Sequence, residues 1–343
     1  MTKQICIWVL GAALGLAAQL AQADYVFKAG DPSLAEFILG DVPYPADNVP
    51  NAARVGLGQR LFFDPRMSGD GNMSCATCHN PALGWSDAQP TARGVKSSVL
   101  GRASPTIFHT GYNTIQMWDG RKKSLEDQAM GPMQANVEMN MDIGKLFLWI
   151  SNSEGYRALF AKAYPGEPIN ETTLSKAIAS FERTVVSKDS AFDRWVKGDA
   201  QAMTAQQVEG FKVFVGKGRC GACHSGANFT DNGFHNLGLS SWGMEQPDMG
   251  RYAQKPVEAM KGAFKTPTVR EVARTAPYFH DGSAKTLMEV VEFYDHGGVV
   301  RSNQSPNIRP LGLSPQEKQS LVAFLQGLSS PFLSVNVPEL PTK

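Results

Sequence analysis

Apolar residues recur at helical spacing in several stretches of the chain, each opened by a helix-capping residue. Thr204 precedes Val208, Phe211 and Val215, which share one helix face. Asn170 precedes Leu174, Ile178, Phe181 and Val185 in the same way. Ser314-Pro315-Gln316-Glu317 is a capping box with proline in the first turn, followed by the stripe Leu321, Phe324, Leu325 and Leu328. No series of alternating apolar and polar positions marks a strand. The 33 Gly and 21 Pro fit long loops between helices. The pattern predicts an all-α chain with a break near Ser187–Ser190.

The N-terminus reads as a processing signal. Lys3 is followed by the apolar run Ile5 to Leu20 and then by Ala21-Gln22-Ala23, an A-x-A cleavage site. Cleavage before Asp24 leaves 343 − 23 = 320 residues. The alternative, an uncleaved anchor, fits less well because the run is shorter than a span of ~20 residues. The expected organisation is a signal peptide over 1–23, a first domain over 24–188 and a second over 189–343. The mature protein is expected in the periplasm, with no membrane segment. The 42% of hydrophobic residues suffices for ordinary cores. Lys+Arg 33 against Asp+Glu 32 argues against a nucleic-acid binder.

Outside the signal there are four cysteines, in two motifs: Cys75-Ala76-Thr77-Cys78-His79 and Cys220-Gly221-Ala222-Cys223-His224. C-x-x-C-H is the attachment pattern of c-type haem. The cysteines form thioethers to the porphyrin, and the adjacent histidine becomes the proximal iron ligand. The competing readings are a redox cysteine pair or a zinc site. Two motifs that use every mature cysteine of an exported chain favour two covalent haems.

The chain also repeats itself. Ser104-Pro105-Thr106, Trp118-Asp119-Gly120 and Ser124-Leu125-Glu126 have counterparts in Thr266-Pro267-Thr268, His280-Asp281-Gly282 and Thr286-Leu287-Met288, all offset by 162 residues. Two c-type cytochrome-like domains related by internal duplication are therefore expected, each with one covalent haem and long loops. The second copy carries an insertion around Trp242 to Lys261.

The offset makes Tyr294 the counterpart of Pro132. Tyrosine can bind ferric iron as a phenolate, whereas proline has no side-chain donor. The haem on His224 would then be closed by Tyr294, and the haem on His79 left open. The alternative is that Tyr294 is a core tyrosine; Met288, His296 and His280 are competing ligands. An open haem suits peroxide activation if an acid–base group moves a proton between the two oxygens. Glu138, six residues past Pro132, can do this, and Gln128 can orient it. The alternative for Glu138 is a solvated surface carboxylate.

These residues resemble the bacterial di-haem cytochrome c peroxidase and MauG family over nearly the whole mature chain. The resemblance rests on Leu61-Phe62-Phe63-Asp64, Ser74 through His79, Met117-Trp118-Asp119-Gly120-Arg121, Gly131-Pro132 through Glu138-Met139, Phe264-Lys265-Thr266-Pro267-Thr268 and Thr275 through Gly282. It implies a peroxide-reactive N-terminal haem and an electron-transfer C-terminal haem, with Trp118 coupling them. It places Glu138 and Gln128 in the peroxide pocket. Conventional peroxidases of the family put Met at the position of Tyr294 and a distal histidine in the loop after the first haem motif. Here that loop, Thr91 to Lys96, has none, and His109 reads as structural. Both departures resemble the MauG-like branch, in which both haems share the oxidising equivalents of peroxide and a partner protein is oxidised.

The resemblance also implies a calcium ion held by the carbonyls of Thr275 and Pro277. The family's asparagine ligand is Ala103 here, a departure from the pattern. The expected partners are hydrogen peroxide and a partner protein, or a small periplasmic cytochrome or copper protein as electron donor. A non-catalytic di-haem electron carrier is a further alternative, which an open haem would contradict. Relatives imply a monomer or homodimer. Met130, Met133, Met139 and Met141 read as core rather than copper ligands.

Overall fold

The computed structural model describes residues 27–331 and 335–342; the expected signal peptide lies outside them. Its helices are α1 (Ala52–Phe63), α2 (Cys75–Cys78), α3 (Leu125–Gln134), α4 (Ile143–Asn152), α5 (Glu154–Ala163), α6 (Glu171–Glu182), α7 (Ala191–Val196), α8 (Ala205–Val215), α9 (Leu287–His296) and α10 (Pro315–Gly327). The described strands are two residues each: β1 (Phe234–His235) pairs antiparallel with β2 (Phe264–Lys265). The structure is thus mostly helical, as the periodicity predicts.

The predicted caps start their helices. Thr204 Oγ1 accepts from the Gln207 amide at 3.2 Å, Asn170 Oδ1 from Thr173 at 3.1 Å, and Ser314 Oγ from Glu317 at 3.2 Å. Each satisfies an amide that the helix itself leaves unpaired. Helix α6 ends at Glu182, so Val185 is buried just beyond the helix rather than within it.

Two hydrophobic clusters form. The first runs from Leu57 to Val185 and contains α1, α6 and all four methionines of the sequence cluster, Met141 at its edge. The second runs from Phe192 to Leu328 around α8 and α10. The chain ends cross over. Leu34 and Phe37 pack into the second cluster, while Val335 packs against the first. Arg66 Nη2 donates to the Pro341 carbonyl at 3.0 Å, tying the last segment to α1's end.

Backbone details recur at the 162-residue offset. Helices α3 and α9 are both ten residues long, 162 apart. Bridges join Gln116 to Lys122 and Tyr278 to Ala284. Met117 (φ 72°) and Phe279 (φ 69°) occupy the left-handed region, as do His109 (φ 60°) and Glu271 (φ 59°). Positive φ is uncommon for residues with a Cβ, so matching pairs mark one loop shape used twice.

Each cluster also holds a glycine-mediated helix crossing. A Cβ on Gly58 of α1 would lie 1.8 Å from the Ala177 carbonyl oxygen of α6, and one on Gly210 of α8 would lie 1.9 Å from that of Ser320 in α10. The backbones touch because these positions lack side chains. Gly210→Ala should therefore force α8 from α10 and destabilise the protein by about 1–3 kcal/mol. Thermal unfolding checks this; an unchanged Tm would mean the helices separate freely.

Candidate haem-binding sites

The first motif forms the short helix α2, started by Ser74 and its capping box with Thr77. The His79 amide then donates back to the Cys75 carbonyl at 2.9 Å. The second motif is a single tight turn after Arg219, and the His224 amide donates to the Cys220 carbonyl at 2.8 Å. In both, the local fold places the histidine directly over its cysteine pair.

Both imidazoles are held alike. His79 Nδ1 lies 3.3 Å from the Trp85 carbonyl oxygen, and His224 Nδ1 lies 3.1 Å from that of Phe229. A carbonyl only accepts, so the proton is assigned to Nδ1 and Nε2 keeps its lone pair. Burial lowers both pKa values, keeping the rings neutral near pH 7. A neutral imidazole with its outer nitrogen fixed and its inner one free is what iron ligation requires.

The four cysteines are unpaired. Burial pushes the thiols of Cys75 and Cys220 up to about 12 and that of Cys78 up to about 11. Each cysteine pair is followed by a histidine whose outer nitrogen is held by a carbonyl and whose inner one is free, the donor set of thioether haem attachment. Cys223, Asp231 and His235 do bring donor atoms within 4.8 Å of one another. His235 Nε2 is already engaged by the Asp231 carboxylate at 3.0 Å, and a Cys223 bound to haem would not be a thiolate.

A cavity opens over the second motif, lined by Cys220, Cys223, His224, Tyr294, Trp118 and Lys265 among others. Tyr294, on α9, makes no hydrogen bond through its hydroxyl to any described residue. Burial raises its phenol pKa, and the neighbouring Cys220 and Cys223 add to the shift. Of the competing ligands, His280 also lines the cavity, with its ring stacked on Phe264 at 3.5 Å between centroids. Met288 and His296 do not line it, and His296 is exposed. Lys265 is 8% exposed, and burial depresses its amine to about 8. Arg219 also lines the cavity, with a buried Nε that lacks a partner. An apolar cavity with two cysteines, a free imidazole nitrogen, an unpartnered phenol and two cations suits a haem and its carboxylates.

The first site is built from α3 and the loop after it. Pro132 lies inside α3. Gln128 Nε2 approaches Met117 Sδ at 3.9 Å. Glu138 lies beyond the helix, its carbonyl held by the Val95 amide at 2.8 Å. A Cβ on Gly94 would meet the Val137 carbonyl oxygen at 1.8 Å, so the histidine-free loop lies directly on the Glu138 strand of chain. Glu138 is half-buried, and desolvation raises its pKa against the pull of Arg121. Its charge also acts on Cys78, which puts it beside the first motif rather than on a remote surface. His109 is buried with Nε2 3.0 Å from Ser187 Oγ, a structural placement.

Trp118 spans the two halves. Its indole donates to the Ala103 carbonyl at 2.9 Å, its own carbonyl accepts from the Lys265 amide at 2.7 Å, and its ring lines the second cavity. The Ala103 carbonyl is thus already engaged where the calcium asparagine was expected. Thr275 immediately precedes the cis Ala276-Pro277 bond. No group of three His, Cys or carboxylate side chains gathers around them among the described residues. The calcium expectation gains no support from these side chains.

The sequence alone assigns no role to Arg219, His235 and Trp242, which line the cavity, or to Asp231, which holds His235. Lys265 stands in a sequence motif that assigns it no role. The i, i+4 spacing of Asp231 and His235 just after the second motif was the available signal for that pair.

Residues 52–201 match the family described as di-haem cytochrome c peroxidase. The chain is 42% identical over 303 residues to methylamine utilization protein MauG of Methylorubrum extorquens, covering 88% of this chain and 85% of that protein. It is 38% identical to MauG of Methylophilus methylotrophus, covering 94% and 96% respectively. Among solved structures, a MauG-like protein associated with microbial copper homeostasis superimposes with a TM-score of 0.80 at 30% identity, covering 85% of this chain and 93% of that one. The chain therefore belongs to the di-haem cytochrome c peroxidase and MauG family of peroxidase-type oxidoreductases.

Proposed function

We propose that this chain is a periplasmic enzyme of the MauG-like branch, carrying one haem on each of two duplicated domains, 24–188 and 189–343. It reacts with hydrogen peroxide at the N-terminal haem and oxidises a partner protein. The observation that carries this reading is Tyr294: an unpartnered phenol in the cavity of the second motif, at the helix position where the first copy has Pro132. Covalent haem supplies the redox chemistry at both sites.

His79 and His224 would be the proximal ligands, each oriented by a backbone carbonyl. Cys75, Cys78, Cys220 and Cys223 would hold the two porphyrins. An isolated phenolate is costly in the Tyr294 environment, because burial disfavours the charge. With a ferric haem bound in the cavity, Tyr294 would be held as the phenolate, a hard anionic ligand. Pro132 offers no donor, which keeps the first site open.

Glu138 takes the proton from the peroxide oxygen nearer the first site and returns it to the outer oxygen as water leaves. Desolvation raises its pKa, which makes the carboxylate a stronger proton acceptor. Gln128 orients the peroxide or Glu138 from α3. Trp118 provides the electronic contact between the halves, fixed by hydrogen bonds to both.

The match to di-haem cytochrome c peroxidases favours a second reading, in which the enzyme reduces peroxide to water with electrons from a small cytochrome or copper protein. One experiment separates the two. One equivalent of hydrogen peroxide is added to the fully ferric protein while optical and EPR spectra are followed. The MauG-like reading expects rapid loss of both ferric signals without prior reduction. No reaction until one haem is reduced would replace it with the conventional peroxidase.

A further inference from the structure

The inserted segment of the second half folds back onto the cavity that holds Tyr294. Its base is the β1–β2 pair, and Asn303 Nδ2 ties its far end to the Lys261 carbonyl at 2.8 Å. Five tryptophans fall within the described residues, and two of them line this cavity: Trp118 and Trp242. Trp85 and Trp195 are buried in the two cores, and Trp149 packs on Tyr156 in the first.

Trp118 and Trp242 face different surroundings. Trp118 is fixed between the halves. Trp242 sits in the insertion, partly exposed, with Nε1 donating to the Ser302 carbonyl at 2.8 Å on the solvent side. Its ring lies flat against Gly262, where a Cβ would fall 2.5 Å from Cε3. Gly262 also has φ +66°, so glycine is favoured there both by backbone conformation and by the indole. Two residues further along the insertion, Met244 is 66% exposed. The insertion has no counterpart at the 162-residue offset in the first copy, and through Trp242 it brings a partly exposed, oxidisable ring to the cavity of His224 and Tyr294.

We propose that Trp242 is the outer electron relay of the second haem site, passing electrons singly from a donor docked at the insertion to the cavity interior. This inference rests on the proposed reaction with peroxide. Each peroxide takes up two electrons and two protons to give two waters. With a donor present, Trp242 loses one electron inward and regains one from the donor, twice per peroxide. Without a donor the indole itself is consumed: one peroxide and one indole give a hydroxyindole and one water.

The test uses the full-length haem-loaded protein, treated with a few equivalents of hydrogen peroxide and no donor. Digestion and mass spectrometry should find oxygen added to the Trp242 peptide before the other tryptophan peptides. Glu138→Gln should reduce that addition, which separates it from direct attack by peroxide. The lifetime of the oxidised protein gives the second readout. Trp242→Phe should lengthen it roughly tenfold. Trp242→Tyr should restore it, because Phe and Tyr fill the same space and only Tyr can be oxidised. Equal lifetimes in all three proteins, or an unmodified Trp242 beside other oxidised tryptophans, overturn the relay while leaving the proposed function standing. A wild-type protein inert to peroxide overturns both.

Discussion

Glu138→Gln is expected to slow the reaction with hydrogen peroxide by about 10²–10⁴-fold, the range spanned by general acid–base catalysis. Haem attachment should be intact, because no side-chain bond of Glu138 supports either motif and its carbonyl bond to Val95 is retained by any residue. The amide keeps the size and hydrogen-bonding capacity of the carboxylate but cannot take the peroxide proton. The pH profile sharpens the test. Desolvation raises the Glu138 pKa, with Arg121 opposing it. The carboxylate is the form that accepts the proton, so the wild-type rate should fall as pH drops through that raised pKa. The fall should come above the ordinary glutamate value of about 4.3. In Glu138→Gln the same limb should be flat. Stopped-flow mixing with peroxide across pH measures both. Wild-type rates in the variant would remove Glu138 from the mechanism.

Tyr294→Met is expected to raise the potential of the C-terminal haem by a few hundred millivolts, within the roughly 0.8 V range that axial ligands span. A phenolate stabilises ferric and higher iron, whereas a thioether favours the ferrous state. The variant should lose its response to peroxide in the fully ferric state and regain a reaction once the second haem is reduced. Potentiometric titration followed by optical absorption reads the shift. An unchanged potential would mean that Tyr294 does not bind iron and that its hydroxyl is unpartnered for another reason. His280 would then be the alternative ligand to examine, since it lines the same cavity.

The two predictions draw differently on sequence and structure. Glu138 and Pro132 were legible because they follow a helix start at fixed distances, and the counterpart helix α9 keeps the same length and register. The sequence alone left Glu138 open between a pocket acid and a surface carboxylate. Burial and its action on Cys78 favour the pocket. Tyr294 was legible only through the offset, since a tyrosine on an amphipathic helix is ordinarily core. Its lack of a hydrogen-bond partner inside a cavity is a property of surrounding atoms, not of spacing.

By itself the sequence determined what is local or covalent. The C-x-x-C-H spacing puts a histidine beside its cysteines whatever the rest of the chain does. Thr204, Asn170 and Ser314 start helices because each caps amides within three residues. The 162-residue offset set out two similar halves, which the backbone repeats in its bridges and left-handed residues. Only the tertiary structure decided which distant groups meet. Trp118 enters the second cavity through a bond between chain positions 118 and 265, the two chain ends exchange cores, and the insertion lays Trp242 on Gly262. Those contacts join residues tens to hundreds of positions apart. They are fixed by packing shape and by which backbones can touch, quantities that hydrophobic periodicity does not carry.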